Sequence, residues 1–168
     1  MKNSIYLFAV SAVMILTNGC SQNKYSHSPV VGNWKMNAIH IQQYDAQLEQ
    51  LQGQLKIQTD SLGYATDTAS QRRIMGNRDM YQHYVDDMQS QKDSSLKNTY
   101  WNFMSDGKFE GQESFDKKYQ GYWSYNEKTK TVTRYLPSDS VKVDVKGDTL
   151  ILNLDSVNQI TFLKTSGK

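Results

Sequence analysis

The C-terminal part of the chain alternates apolar and polar residues with a period of two, and this pattern constrains the fold most. Seven short segments there are rich in β-branched and aromatic residues and are separated by turn residues. They cover residues 99–104, 108–113, 119–125, 130–136, 140–146, 148–154 and 159–164. Asp106-Gly107 is a hairpin signal, and Gly147 marks a further turn. The pattern predicts antiparallel strands connected by tight hairpins.

Residues 30–37 (VVGNWKMN) add an eighth predicted strand. Eight antiparallel strands in series predict an up-and-down barrel, whose interior either holds one small ligand or is filled by side chains. Alternation places pairs of aromatic residues on one face of a strand. The candidate ligand-binding residues are Trp101, Phe103, Trp123 and Tyr125. Trp34, on the first strand, is expected to close one end of the barrel.

Residues 38–97 have a helical pattern instead. Their apolar residues recur at alternating steps of three and four, the spacing of a coiled-coil seam. The first run is Ile41, Tyr44, Leu48, Leu51, Leu55, Gln58 and Leu62, and the second is Ile74, Arg78, Tyr81, Val85, Met88 and Lys92. The turn and cap residues of 59–70 separate the two runs. The chain is therefore predicted to be mainly β with a helical insertion (α+β), the insertion being an antiparallel hairpin with helices over 38–62 and 68–97.

Two roles for this hairpin stay open. One apolar stripe per helix is enough to bury the two helices against each other. The hairpin could then be a spacer over the first loop, or an arm that holds a protein partner. A second apolar stripe left exposed, such as Met75, Met80 and Tyr84, would favour the partner.

The first residues resemble an export signal. Lys2 is followed by an almost wholly apolar run over residues 5–16, which is too short to cross a bilayer as a helix. We therefore expect a signal peptide over 1–19 and a small polar tether over 20–29. A barrel domain with the hairpin inserted would occupy 30–168.

Gly19-Cys20, at the end of the apolar run, resembles the lipobox of bacterial lipoproteins. In that family the signal is cut before the cysteine, which then carries the lipid anchor. The resemblance implies lipidation at Cys20 and a place in the bacterial cell envelope, in the outer membrane facing the periplasm or the cell surface. The alternative is an ordinary signal peptide with a coincidental cysteine.

Four further motifs occur in order along the predicted strands. They are Gly32-Asn33-Trp34 (G-x-W), residues 103–109 (F-x-x-D-G-x-F), residues 121–125 (G-x-W-x-Y) and residues 147–150 (G-D-x-L). Together they resemble the lipocalin-like domains of bacterial lipoproteins. Lipocalins proper place an arginine of the last strand over the first-strand tryptophan, and this chain offers Lys164 there.

The sequence offers little for catalysis or nucleic-acid binding. Its formal net charge is +2, with no basic block that would suit nucleic acid. His27, His40 and His83 are dispersed, and Asp86 and Asp87 point apart on a helix. No nucleophile motif or Gly-rich phosphate loop is present. We therefore expect no enzyme activity, no cofactor and no metal site.

Asp-Ser and Asp-Thr pairs recur along the chain in a pattern that fits either a modification signal or capping chemistry. Asp followed by Ser or Thr and then a small or aliphatic residue begins at residues 60, 67, 139, 148 and 155. This resembles an O-glycosylation motif of one group of Gram-negative bacteria, and the copies in the hairpin tip make Ser61 and Thr68 the candidates. Helix caps and turns favour the same residue pairs.

Two functions follow as expectations. The first is a non-catalytic, lipid-anchored envelope protein whose barrel binds a small apolar ligand. The alternative is a structural or adaptor lipoprotein that binds a protein partner through its hairpin.

Overall fold

A computed structural model describes residues 25–113 and 118–165. The predicted signal peptide, Cys20 and the start of the tether lie outside the described residues. The elements in chain order are β1 (Gly32–His40), α1 (Gln42–Leu62), α2 (Thr68–Asn98), β2 (Tyr100–Phe103), β3 (Lys108–Gln112), β4 (Tyr119–Asn126), β5 (Thr131–Leu136), β6 (Asp139–Lys146), β7 (Thr149–Asn153) and β8 (Gln159–Thr165).

The strands form a closed barrel. Each strand pairs antiparallel with the next, and β8 returns to pair with β1. This confirms the eight-stranded up-and-down barrel and places every predicted strand within a few residues of its observed bounds. Closure leaves no strand edge unpaired, so strands as short as β2 and β7 need no further cover.

Because side chains alternate along each strand, every second one points into the barrel, and many of these inward side chains are aromatic. Trp101 stacks on Phe162 with ring centroids 4.1 Å apart, and Phe103 meets Trp123 edge-on at 5.5 Å. The other large buried members of this core are Trp34, Phe109, Val132, Val143 and Leu150. Most of the interior is therefore packed with side chains rather than open.

The segment before β1 covers the end of the barrel where β1 begins, which we call the closed end. Tyr25 packs on Trp123 at 4.4 Å between ring centroids, and Trp34 donates from its indole nitrogen to the Val30 carbonyl at 2.7 Å. Lys164 donates to the Pro29 carbonyl at 2.7 Å, with its ammonium 5.5 Å from the Trp34 ring centroid. The lysine thus occupies the place that the lipocalin resemblance gives to an arginine.

The helical hairpin forms as predicted. Residues of both predicted apolar runs are buried or half-buried, with Val85 the most buried of them. The Tyr44 hydroxyl donates to the Met88 carbonyl, and Lys92 reaches Asp45 at 3.3 Å, so the two helices are joined near the barrel. In the part of the chain that the structure describes, no helix is both long enough and apolar enough to cross a membrane.

Two details of the hairpin differ from the prediction. Residues 38–40 continue β1 and pair with β8 beyond a register shift after Met36, so α1 begins at Gln42 and not at residue 38. The candidate second stripe, Met75, Met80 and Tyr84, is exposed, but the three side chains do not share one face of α2. At about 100° per residue, Met75 lies roughly 140° around the helix from Met80.

Candidate functional site

A cavity of about 380 Å³ opens at the end of the barrel from which the hairpin leaves. We call it the mouth cavity. Its apolar lining is Met36, Ile39, Ile41, Trp101, Val141, Leu152, Leu154, Ile160 and Phe162, and its polar lining is Ser95, Thr99, Glu113 and Arg134. Ile41 and Ser95 stand at the two ends of the hairpin, so the base of the hairpin forms part of the rim.

One wall of the cavity carries a network centred on the Tyr119 hydroxyl. This oxygen accepts from the Trp101 indole nitrogen at 3.0 Å and from Arg134 Nη1 at 3.0 Å. It donates to Glu113 Oε1 at 2.7 Å. A phenol has one donor and two acceptor positions, so Tyr119 uses all of its hydrogen-bonding capacity. We call these four residues the polar cluster.

Arg134 brings a charge into the barrel interior. It is only 7 % exposed, and its guanidinium carbon lies 4.8 Å from the centroid of the Trp101 ring. Its Nη1 is 3.2 Å from Glu113 Oε1, while its buried Nε has no hydrogen-bond partner within the described residues. A buried donor left unpaired costs about 1–3 kcal/mol, and more when it belongs to a charged group. The site therefore keeps a cation with spare donor capacity.

The same wall keeps Tyr119 neutral. Burial, and then its hydrogen bond to Glu113, raises the pKa of the Tyr119 hydroxyl well above its usual value of 10.0. The phenol therefore remains a donor to Glu113 throughout the physiological range.

The structure separates the four predicted ligand-binding residues. Trp101 lines the mouth cavity. Phe103 and Trp123 are not part of its lining: they pack against each other, and Trp123 also packs against Tyr25 at the closed end. Tyr125 is half-buried at the edge of the core. Ligand contact by these residues stays a prediction, and the structure favours Trp101 among them.

Sequence reasoning missed Glu113, Tyr119 and Arg134. A signal for Arg134 was present, because strict alternation in β5 puts its side chain on the same face as Val132 and Leu136. A charged residue in an apolar face of a strand indicates a buried charge that needs a partner. The partners are Tyr119 on β4 and Glu113 just after β3, and it is the pairing of β3, β4 and β5 that brings them to Arg134.

A second depression, of about 470 Å³, lies where β3 meets β4. Lys108 and the 68 % exposed Tyr122 are among its lining residues. We favour the smaller mouth cavity as the candidate site, because it alone of these two is lined by a buried charged side chain.

The hairpin carries two ion pairs that involve histidine. His83 lies 3.3 Å from Asp87 with both side chains exposed, and His40 lies 2.7 Å from Asp45. Across residues 25–113 and 118–165, no three His, Cys, Asp or Glu side chains gather where they could hold a metal ion.

The two candidate glycosylation residues occupy different environments. Thr68 is exposed at the start of α2, where Asp67 caps the helix by accepting from the Ser70 amide at 2.8 Å. Ser61 lies in the last turn of α1, half-buried, and donates to the Ile57 carbonyl at 2.7 Å. Glycosylation stays a prediction, and the more accessible hydroxyl is that of Thr68.

Neither a protein-family model nor a curated protein matches the chain. Among solved structures, the chain is similar to a DUF4847 family protein from Bacteroides vulgatus ATCC 8482. The two chains are 12 % identical over 85 % of this chain and 99 % of that chain, with a TM-score of 0.43. A likeness at this level carries no argument about function.

Proposed function

We propose that this protein is a non-catalytic, lipid-anchored envelope protein whose barrel binds a small apolar ligand in the mouth cavity. The observation that supports this is the cavity itself. Its volume of about 380 Å³ falls in the lower part of the ~300–1,000 Å³ range of small-molecule sites. Its lining is mainly apolar, with the polar cluster on one wall, which is the usual composition of such a site.

Titration of the purified protein with decanoate and, separately, with decanol tests this proposal. A ligand in the mouth cavity would contact Trp101, so we expect a saturable change in tryptophan emission. Trp34→Phe and Trp123→Phe should keep that change, because neither indole lines the cavity. A flat titration with both probes would contradict the proposal.

A matched pair of variants locates the binding. Val141 lines the cavity, whereas its neighbour Lys142 is exposed on the outside of β6. Val141→Phe should fill part of the space and weaken binding about tenfold, which corresponds to about 1.4 kcal/mol. Lys142→Phe should leave the affinity unchanged. Equal effects of the two substitutions would place the ligand elsewhere.

The alternative, an adaptor that holds a protein partner, has one observation in its favour. Met80 and Tyr84 are 42 % and 48 % exposed and lie one turn apart on α2. Cross-linking in native membranes, with wild type and with a Met80→Ser, Tyr84→Ser double variant, tests it. A cross-linked partner that the double variant loses would favour the adaptor, especially if both lipid titrations are flat.

A further inference from the structure

The guanidinium of Arg134 has more donors than the described residues satisfy. It carries five N–H donors, and the contacts described above engage only Nη1, with Tyr119 and Glu113. Its Nε is buried and has no partner within the described residues. Nε itself is out of reach of the cavity, but because the side chain lines the mouth cavity, an acceptor group on a bound molecule can pair with the guanidinium donors that face it.

The one carboxylate that faces this cation in the cluster compensates it only in part. Glu113 has a side chain that is 47 % exposed, whereas that of Arg134 is 8 % exposed. The Glu113 oxygen nearest to Arg134 also accepts from the Tyr119 hydroxyl. Solvent therefore screens the acidic partner far more than the basic one, which leaves the buried cation compensated only in part.

The rest of the cavity favours an apolar body. Side chains of β1, β7 and β8 line the wall with Met36, Leu152, Ile160 and Phe162. A molecule with one oxygen-bearing end and a hydrocarbon remainder would match both walls. A cationic end group would be repelled by Arg134, and a neutral hydroxyl would gain a weaker, uncharged hydrogen bond.

We propose that the ligand of the mouth cavity is an apolar carboxylate whose head group accepts hydrogen bonds from the Arg134 guanidinium beside Glu113. This rests on the proposed function, and it names the chemical class of the ligand. The head group accepts from the guanidinium donors that face the cavity, and the hydrocarbon remainder lies against the apolar lining. The carboxylate of Glu113 competes with the head group for the same cation.

The test compares decanoate, decanol and decylamine, which share one hydrocarbon chain. We expect decanoate to bind at least about tenfold more tightly than decanol, as a charged hydrogen bond predicts, and decylamine to bind most weakly. Arg134→Met should remove the preference for decanoate over decanol while keeping a hydrocarbon side chain in the barrel. A preference that survives in Arg134→Met would overturn the proposal.

Glu113→Gln is a second variant, and it leaves the buried core of the barrel unchanged. It removes the competing charge at a half-exposed position, so decanoate should bind more tightly, and its affinity relative to that of decanol should rise. Glu127→Gln, at an exposed turn outside the cavity lining, is the matched control and should change neither affinity. If Arg134→Met fails to fold, an unchanged or weakened affinity for decanoate in Glu113→Gln overturns the proposal.

The outcomes separate this inference from the proposed function. Equal affinities for decanoate and decanol would overturn the inference that the ligand is a carboxylate, while the proposal that the cavity binds a ligand would stand. No binding of any of the three probes would overturn both.

Discussion

At the scale of single residues, the unusual feature is a barrel interior that contains an arginine. Removing a charge from water is costly, and partners repay that cost only when the geometry is good. Here the Tyr119 hydroxyl links Arg134, Trp101 and Glu113 through three hydrogen bonds of 2.7–3.0 Å. The stability of this wall should therefore depend on one oxygen atom.

Tyr119→Phe removes that oxygen and leaves the Trp101 and Arg134 donors without it. We expect the free energy of unfolding to fall by about 1–3 kcal/mol in urea titrations. The matched control, Tyr122→Phe, alters a tyrosine that is 68 % exposed and should change stability by less than about 0.5 kcal/mol. Equal effects would mean that the network adds nothing to stability.

The same tyrosine should make stability depend on alkaline pH. Burial, followed by the Glu113 hydrogen bond, raises its pKa above 10.0 in the folded protein, so above that pH the folded state holds a proton that the unfolded state releases. The contribution is complete below pH 10.0 and declines as the pH rises towards the folded pKa. Between about pH 9 and about pH 11, the wild type should lose more stability than Tyr119→Phe. Parallel pH profiles would contradict this.

The G-x-W-x-Y motif begins with Gly121, and the neighbouring strand leaves no room for a side chain there. A Cβ atom at this position would lie 2.1 Å from the carbonyl oxygen of Tyr135 on the neighbouring strand, which is part of the backbone and cannot turn aside. Gly121→Ala should therefore destabilise the barrel by about 1–3 kcal/mol or more. Gly53→Ala is the control: it has open space in α1 and should stabilise by about 0.5–1 kcal/mol. Thermal melts of both variants measure the contrast, and an unchanged Gly121→Ala would refute the steric explanation.

At the scale of elements, the hairpin contributes few buried residues to the barrel. α1 has no buried residue, and α2 has only Val85, which is not part of the barrel core. The base is different, because Leu96 packs against that core and the Gln42 amide donates to Asn158 at 2.7 Å. The outer half of the hairpin should therefore be dispensable for folding, whereas its base should not.

A truncation tests this division. Replacing residues 49–84 with a short Gly-Ser loop keeps the hydrogen bond between Tyr44 and Met88 and the ion pair between Asp45 and Lys92. About four residues can span the gap, since packed helices lie about 8–10 Å apart and an extended residue covers about 3.3 Å. The shortened protein should keep a cooperative thermal transition and its affinity for decanoate. Loss of cooperative unfolding would show that the whole hairpin supports the barrel.

At the scale of the whole molecule, the closed end and the mouth cavity lie at opposite ends of the barrel. Residues 25–31 cover the closed end, so the part of the predicted tether that the structure describes, residues 25–29, packs on the barrel. A lipid on Cys20 would therefore hold the closed end towards the bilayer and leave the mouth cavity accessible from the aqueous side. This arrangement suits exchange of a ligand with the compartment rather than with the membrane.

Cys20→Ala tests the anchor on which this orientation depends. Several acyl chains give stable membrane attachment at about 0.8 kcal/mol per buried CH₂, so their loss should release the protein or leave its precursor unprocessed. Membrane fractionation and labelling with a fatty acid measure both effects, and Ser21→Ala serves as the neighbouring control. If Cys20→Ala stays with the membrane and the wild type takes up no label, the lipoprotein interpretation is wrong.

The sequence by itself determined the elements of this protein. Alternation with a period of two located the strands, since each strand buries one face, and the steps of three and four located the seam of the hairpin for the corresponding helical reason. Both signals are local. The end of β1 was misplaced because the register shift after Met36 breaks the alternation, so that Ile39 and not Ala38 is the next partly buried residue, and pairing with β8 makes residues 38–40 a strand.

The candidate site was decided by tertiary structure. Tyr119 and Arg134 lie on the paired strands β4 and β5 and Glu113 just follows β3, so their meeting depends on strand register and on the tilt of the barrel, which no local pattern encodes. Trp101 and Trp123 look equivalent in the sequence, as large residues on inward faces of short strands. Tyr25 packs on Trp123 at the closed end and the hairpin leaves from the other end, so only Trp101 borders open space. Which interior positions are filled and which line a cavity depends on what covers each end of the barrel.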